Sequence, residues 1–279
     1  MPRARIVTHP VHGECLYLDN GIVEIGVPLS FGIRIAHFSL AGEENIFFVQ
    51  PKDMTRFTND KGWRLRGGHR LWLAPESDKD YNPDNEPIAY EAVGDAVRFT
   101  QQNDPVAHVV KSMEVTLKGN AAEITHRITN TGDAAMKVAL WALSVVNNGG
   151  VTAIPLPERE GGFDPLVHIS AWDYTDLGDS RLLFGKKEIK VASRKGERKL
   201  KIGVGHPAGA IEYENGGTVF RKHVPFRAGG EYPDGGVSFE IYVSDYMTEL
   251  EGLSPLYDLL PGETAAYTEV WELFKKTGV

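Results

Sequence analysis

Short apolar and β-branched runs, each closed by Gly, Asn, Asp or Pro, recur along the whole chain and predict strands. The first, over residues 15–18, 22–27, 33–40 and 46–49, are punctuated by Asp19-Asn20-Gly21 and Ala41-Gly42, as in a β-meander. Residues 51–68 carry charges and no sustained period, which predicts a loop ending where a strand resumes at 69–73. A second loop, 76–87, is rich in Asp, Asn and Pro and leads into strands at 88–93, 96–101, 109–117 and 123–129. Residues 136–146 are apolar at both parities, so that segment is expected to be central and covered on both faces. Further strands are expected at 167–171, 182–184, 188–193, 199–204, 210–213, 218–223, 237–243 and 266–274. Residues 246–260 have weak helical spacing, but Gly252 and Pro255 favour a strand followed by a loop. Many strands without intervening helices predict an all-β fold, a large antiparallel β-sandwich, and the absence of linker-like tracts or repeats makes 1–279 one domain.

Composition narrows the function classes. With 279 residues, 42% apolar and 24% charged, the chain can bury a large core and is not a disordered one. A formal net charge of −8 argues against a phosphate-binding surface, so nucleic acid is not an expected partner. Cys15 is the only cysteine, which excludes an internal disulfide and a multi-cysteine zinc site. No apolar run approaches a membrane span and the first ten residues lack an h-region, which predicts a cytoplasmic protein without membrane contact. The basic run 186–201, with Glu188 and Glu197 interspersed, reads as a solvated hairpin. Asp78, Asp80, Asp84 and Glu86 have ligand-like spacing but lack the glycine and terminal glutamate of a calcium loop, so a solvated acidic loop is expected. Phosphate-cradling, zinc-protease, serine-hydrolase and dinucleotide motifs are all missing, and no cofactor is predicted.

Alternation then sorts the candidate chemistry. A strand from His69 puts Arg70 and Trp72 on one face, continued by Ala74 and Glu76, with His69, Leu71 and Leu73 on the other. Arg offers a fork of donors to hydroxyls or carboxylates and an indole offers a plane for the CH face of a sugar. The competing reading is an Arg70–Glu76 pair beside a core tryptophan. His69 falls among leucines, as a core histidine does, unless Gly67 and Gly68 bend the backbone enough to void the alternation. Glu249 and Glu251 share a face about 7 Å apart, close enough for each to hinder the other's ionisation and make one a base or acid near neutral pH. His126, between Ile124 and Ile128, reads as packed, while His206 and His223 lie beside loops that can reach a concave site.

The run from Lys111 through Thr129-Asn130-Thr131-Gly132-Asp133, followed by apolar residues 138–146, resembles the central hairpin of the galactose mutarotase (aldose 1-epimerase) superfamily. The ending is similar too: Glu249 and Glu251, then Leu260-Pro261-Gly262-Glu263 and Glu269-Val270-Trp271. Residues 67–76 resemble a branch of that superfamily distinct from the hexose mutarotases. The resemblance covers most of the chain and implies a sugar on a concave sheet, a glutamate base and a histidine acid at the anomeric carbon, with no metal. The glutamate maps onto Glu249 or Glu251; the histidine maps onto residues 140–144, which contain none. The expected function is therefore a carbohydrate-active, mutarotase-like enzyme acting on a small sugar. Glu251 or Glu249 is the base, Arg70, Trp72 and Glu76 are substrate contacts, and the acid is His69, His206, His223 or a water. The alternatives are a non-catalytic sugar-binding module and a lyase or isomerase for an acidic sugar.

Overall fold

The computed structural model describes residues 2–276 apart from 53, 55–57, 159, 160, 162, 164 and 195–197. Its named strands form three sheets in which every pairing is antiparallel. A four-stranded sheet runs Arg3–His9, Gly13–Asp19, Val23–Pro28 and His37–Leu40 in sequence order. A ten-stranded sheet has Thr218–His223, Thr264–Lys275, Ala121–Asn130 and Val109–Lys118 as consecutive central members. The third sheet runs Leu200–Val204, Phe239–Val243, Met247–Leu253, Met136–Asn147 and Gly68–Ala74, flanked by Ile169–Ala171 and Arg34–Ile35. No helix among the described residues is long and apolar enough to cross a membrane.

The strand Met136–Asn147 is buried without interruption from Val138 to Val146. Its even members Leu140 and Ala142 pack with Leu71, Leu73, Ile128 and Tyr267, joining the third sheet to the ten-stranded one. Its odd members Trp141, Leu143 and Val145 pack outward with Phe48, Trp63, Leu65 and Trp72. Apolar residues at both parities thus mark a strand with a cluster on each side. Gly68 begins the neighbouring strand at φ +71°, where a Cβ would lie 2.4 Å from the Ile35 carbonyl oxygen, so only glycine allows that approach.

Three expectations change. Arg3–His9 is a strand with no hydrophobic signal, because it is exposed along nearly its whole length. It pairs with Gly13–Asp19, and Arg3 and Arg5 form ion pairs with Asp19 and Glu24. Residues 46–49 make only isolated bridges, Phe47 with Val146 and Val49 with Gly67. The basic run 186–201 is not one hairpin: Glu188–Ala192 belongs to the ten-stranded sheet and Leu200–Val204 to the third sheet, so the chain changes layer between them. Glu197 lies outside the described residues.

Candidate functional site

Strand register decides which side chains meet on the outward face of the third sheet. Leu143 stands opposite both Arg70 and Glu251, and Val145 stands opposite Glu249. One strand further, Glu240 is opposite Glu251, Tyr242 is opposite Glu249, and Lys201 is opposite Tyr242. Residues standing directly opposite point to the same side. Over this face stand Trp63 and Leu65 from the first long loop, Tyr81 from the turn Asp78–Tyr81, and Trp172 and Tyr174 from the segment after Ile169–Ala171. They enclose a cavity of about 370 Å³ whose lining includes Arg70, Trp72, Glu76, Trp141, Lys201, Tyr242 and Glu249.

The cavity floor is ionic and its walls are aromatic. Arg70 Nη2 donates to Glu249 Oε1 at 3.3 Å, and the guanidinium carbon lies 4.2 Å from the centre of a Trp72 ring. Burial pushes the Glu249 carboxyl above the ordinary carboxylate range; Arg70 opposes this and Glu251 reinforces it. Lys201 Nζ lies 2.7 Å from Glu240 and 3.0 Å from Glu251, between the rings of Trp141 and Trp172 at 4.7 and 4.5 Å. Trp141 Nε1 donates to the same Glu251 oxygen at 2.8 Å. Burial alone would lower the Lys201 pKa, but Glu251 and Glu240 together raise it, so the ammonium stays charged. Burial pushes the Glu240 carboxyl well above the ordinary carboxylate range, and Lys201 opposes this. Of the two glutamates expected here, Glu249 faces the cavity, while Glu251 is fully buried beneath it and held by Lys201 and Trp141. Glu76 lines the cavity and accepts the Tyr81 hydroxyl, so the carboxylate partner of Arg70 is Glu249.

The three expected histidines do not reach this cavity. His69 obeys the alternation and points into the space between the sheets. There its Nε2 lies 2.7 Å from His126 Nε2 and its Nδ1 lies 2.9 Å from Ser144 Oγ. His126 Nδ1 lies 3.2 Å from the Tyr267 carbonyl, which can only accept, so His126 carries its proton on Nδ1. His69 therefore donates from Nε2, Ser144 donates to His69 Nδ1, and Lys222 Nζ donates to Ser144 Oγ at 3.1 Å. Lys222 also donates to the carbonyls of Ala142 and Leu250, both at 2.9 Å, and lies 3.3 Å from Glu269. His69, His126 and Glu269 are close enough together to hold a metal ion. The directed hydrogen-bond chain satisfies both imidazoles without one, and the Lys222 ammonium already supplies the positive charge. Burial lowers both imidazoles, His126 to about 3, so both are neutral. His206 stacks on Phe226 at 4.0 Å and His223 bonds Glu272 at 3.0 Å; both line a separate open depression with Thr268 and Val270.

Sequence reasoning did not single out Lys201, Glu240, Trp141, Trp172, Tyr174 or Tyr242. A signal existed for the first two, since each is a lone charge inside an otherwise apolar strand, Leu200–Val204 or Phe239–Val243.

No family model and no curated protein sequence matches the chain. Solved structures do. A galactose mutarotase-like protein from Lactobacillus casei superimposes with a TM-score of 0.56 at 10% identity, over 93% of this chain and 100% of that one. Another, from Clostridium acetobutylicum, gives 0.56 at 12% identity over 99% of both chains. The chain has the galactose mutarotase-like fold. The same fold is matched within a TPR-domain containing protein from Parabacteroides distasonis, with a TM-score of 0.64 at 14% identity over 95% of this chain. The chain spans about half of that longer protein, 48% of its length. In this mutarotase-like fold the aromatic cavity lies on the outward face of the third sheet, and the histidine pair lies behind it.

Proposed function

We propose that the chain is a carbohydrate-active enzyme that takes a small sugar in the aromatic cavity and moves a proton at its anomeric carbon, with Glu249 as the base. One observation carries the reading: a carboxyl whose pKa is raised by burial faces an aromatic-walled cavity, oriented by Arg70 and close to the charged Lys201. Indole and phenol faces suit the CH surface of a pyranose, while the ionic floor suits its hydroxyls. Glu249 takes the proton of the anomeric hydroxyl as the bond from C1 to the ring oxygen breaks, and that proton is delivered to the ring oxygen, directly or through water. The Lys201 ammonium donates a hydrogen bond to the oxygen that gains charge. The open aldehyde rotates and the steps reverse on its other face, so no net proton is consumed.

A non-catalytic sugar-binding module is the second reading. It is favoured by Glu251, one of the two positions the resemblance offers for a base, being held by Lys201 and Trp141. NMR measurement of anomer exchange over a panel of reducing sugars, paired with calorimetric binding, separates the two. Exchange above the protein-free rate is expected for at least one sugar, and Glu249→Gln should lower it by about 100-fold or more while retaining binding. Because Glu249 must be ionised to act, exchange should rise with pH through a midpoint above the ordinary carboxylate range. Binding without accelerated exchange would select the module, and neither would end the carbohydrate reading. Loss in Glu251→Gln but not in Glu249→Gln would move the base to Glu251.

A further inference from the structure

Behind the cavity floor, on the far side of Arg70, lies a second and much smaller chamber of about 20 Å³. Arg70, Asp80, Asp84, Asp104 and Lys111 contribute its charged lining, and Asn82, which donates to Asp104 at 3.3 Å, and Gln101 its neutral polar lining. Asp80 is engaged by the Leu73 and Ser77 amides and the Ser77 hydroxyl, and Asp104 by the Val106 and Ala107 amides. Asp84 gives one oxygen to Arg34 at 3.2 Å, and its other oxygen, Oδ1, is buried without a partner among the described residues. Arg70 gives Nη2 to Glu249, and its buried Nε and Nη1 have no partner among the described residues. Lys111 is buried with its ammonium in the field of Asp80, Asp104 and Asp84, and it makes no side-chain hydrogen bond or ion pair among the described residues.

We propose that one ordered water occupies this chamber, accepting from Lys111 Nζ and Arg70 Nη1 and donating to Asp84 Oδ1. Three arguments converge. The volume admits a single water. Lys111 Nζ and Arg70 Nη1 as donors and Asp84 Oδ1 as acceptor match what a water offers, and buried groups of this kind are costly when unpaired. The balance of charge favours a neutral occupant: Arg70 and Lys111, with Arg34 behind Asp84, oppose a cation, and Asp80, Asp84 and Asp104 oppose an anion. The water ties the back of the Arg70 guanidinium to Lys111 and Asp84 while its front holds Glu249. Lys111 and Asp84 are therefore positioning residues for the cavity carboxyl, whatever that carboxyl does.

A crystal structure at high resolution tests the occupant directly. The expected result is one peak within about 2.7–3.2 Å of the three named atoms. An empty chamber with Lys111 paired directly to a carboxylate overturns the proposal, as does a peak with the anomalous signal of an ion. Carboxyl-carbon NMR tests the consequence. In Lys111→Met the Glu249 midpoint should rise by about half a pH unit or more, because Arg70 is less firmly held against it. An unchanged midpoint in the folded variant overturns the positioning role. Neither readout depends on turnover, so failure here and failure of the epimerase reading are separable.

Discussion

The same trio of residue types stands on each side of the third sheet, the outer one carried by that sheet and the inner one by the facing ten-stranded sheet, and their difference teaches what makes a buried ion pair useful for chemistry. On the outward face Lys201 pairs with Glu251 at 3.0 Å and Trp141 donates to that carboxylate. On the inward face Lys222 pairs with Glu269 at 3.3 Å and Trp271 donates to it at 3.0 Å. Lys222 also gives its protons to Ser144 and two strand carbonyls, and no atom of it meets solvent. Lys201 pairs with Glu240 and Glu251 as acceptors, borders the cavity, and has Glu249 as a neighbour across the sheet. Saturated donors make the inner trio a fastening. A remaining donor beside an open cavity makes the outer one fit to meet a ligand.

Removing each lysine is the strongest way to break this comparison. Lys222→Met leaves Glu269 buried without its counter-charge and removes the ammonium from Ser144 and two strand carbonyls, which should cost about 3–5 kcal/mol in urea denaturation. Lys201→Met should cost about half as much, because cavity water can replace the ammonium there, but it should weaken ligand binding. Equal stability losses would mean that the two trios are the same device.

The histidine pair sharpens the comparison through pH. An unfolded histidine takes its proton near 6.5, whereas folded His126 takes one only near 3. The stability this confers is complete above pH 6.5 and falls as pH drops from there towards 3, by about 1.4 kcal/mol per pH unit for each buried imidazole. Glu269, raised mainly by burial, acts with the opposite sign above the ordinary carboxylate pKa. The histidine contribution is therefore the difference between wild type and His126→Gln, measured by denaturation from pH 7 to 5. A slope that does not change on substitution would place the acid sensitivity elsewhere.

The smallest expected effect belongs to the cavity wall. Trp172 is only partly buried, so Trp172→Ala should leave the melting temperature nearly unchanged while weakening sugar binding about fivefold, equivalent to roughly 1 kcal/mol. Calorimetry and thermal melts on the same sample check both halves.

The sandwich was legible because its strands alternate or, as in Met136–Asn147, are apolar throughout. The same rule correctly separated Arg70 and Trp72 from His69 and set Glu249 and Glu251 on one face. It failed where pairing rather than pattern supplies the order. Arg3–His9 has no buried side to advertise. Lys201 was hidden in a basic run that looked solvated, and its partners Glu240 and Glu251 arrive from strands whose register no local rule predicts. The meeting of His69 with His126 across two sheets depends likewise on how the layers stack. Gly252 shows the limit well: a Cβ there would lie 2.2 Å from Glu269 Oε1, so a residue that reads as a turn or breaker signal instead makes room for a carboxylate.

Lys222 reaches from the ten-stranded sheet to carbonyls on two adjacent strands directly behind the cavity floor. This makes the floor an anvil: a ligand cannot press the two strands apart without also breaking the link between layers. Adaptation to ligands of different shape then falls to the rim, where Trp63, Tyr81, Trp172 and Tyr174 are carried by segments outside the strands. Divergence of specificity in such a molecule proceeds by exchanging its rim over an unchanging base.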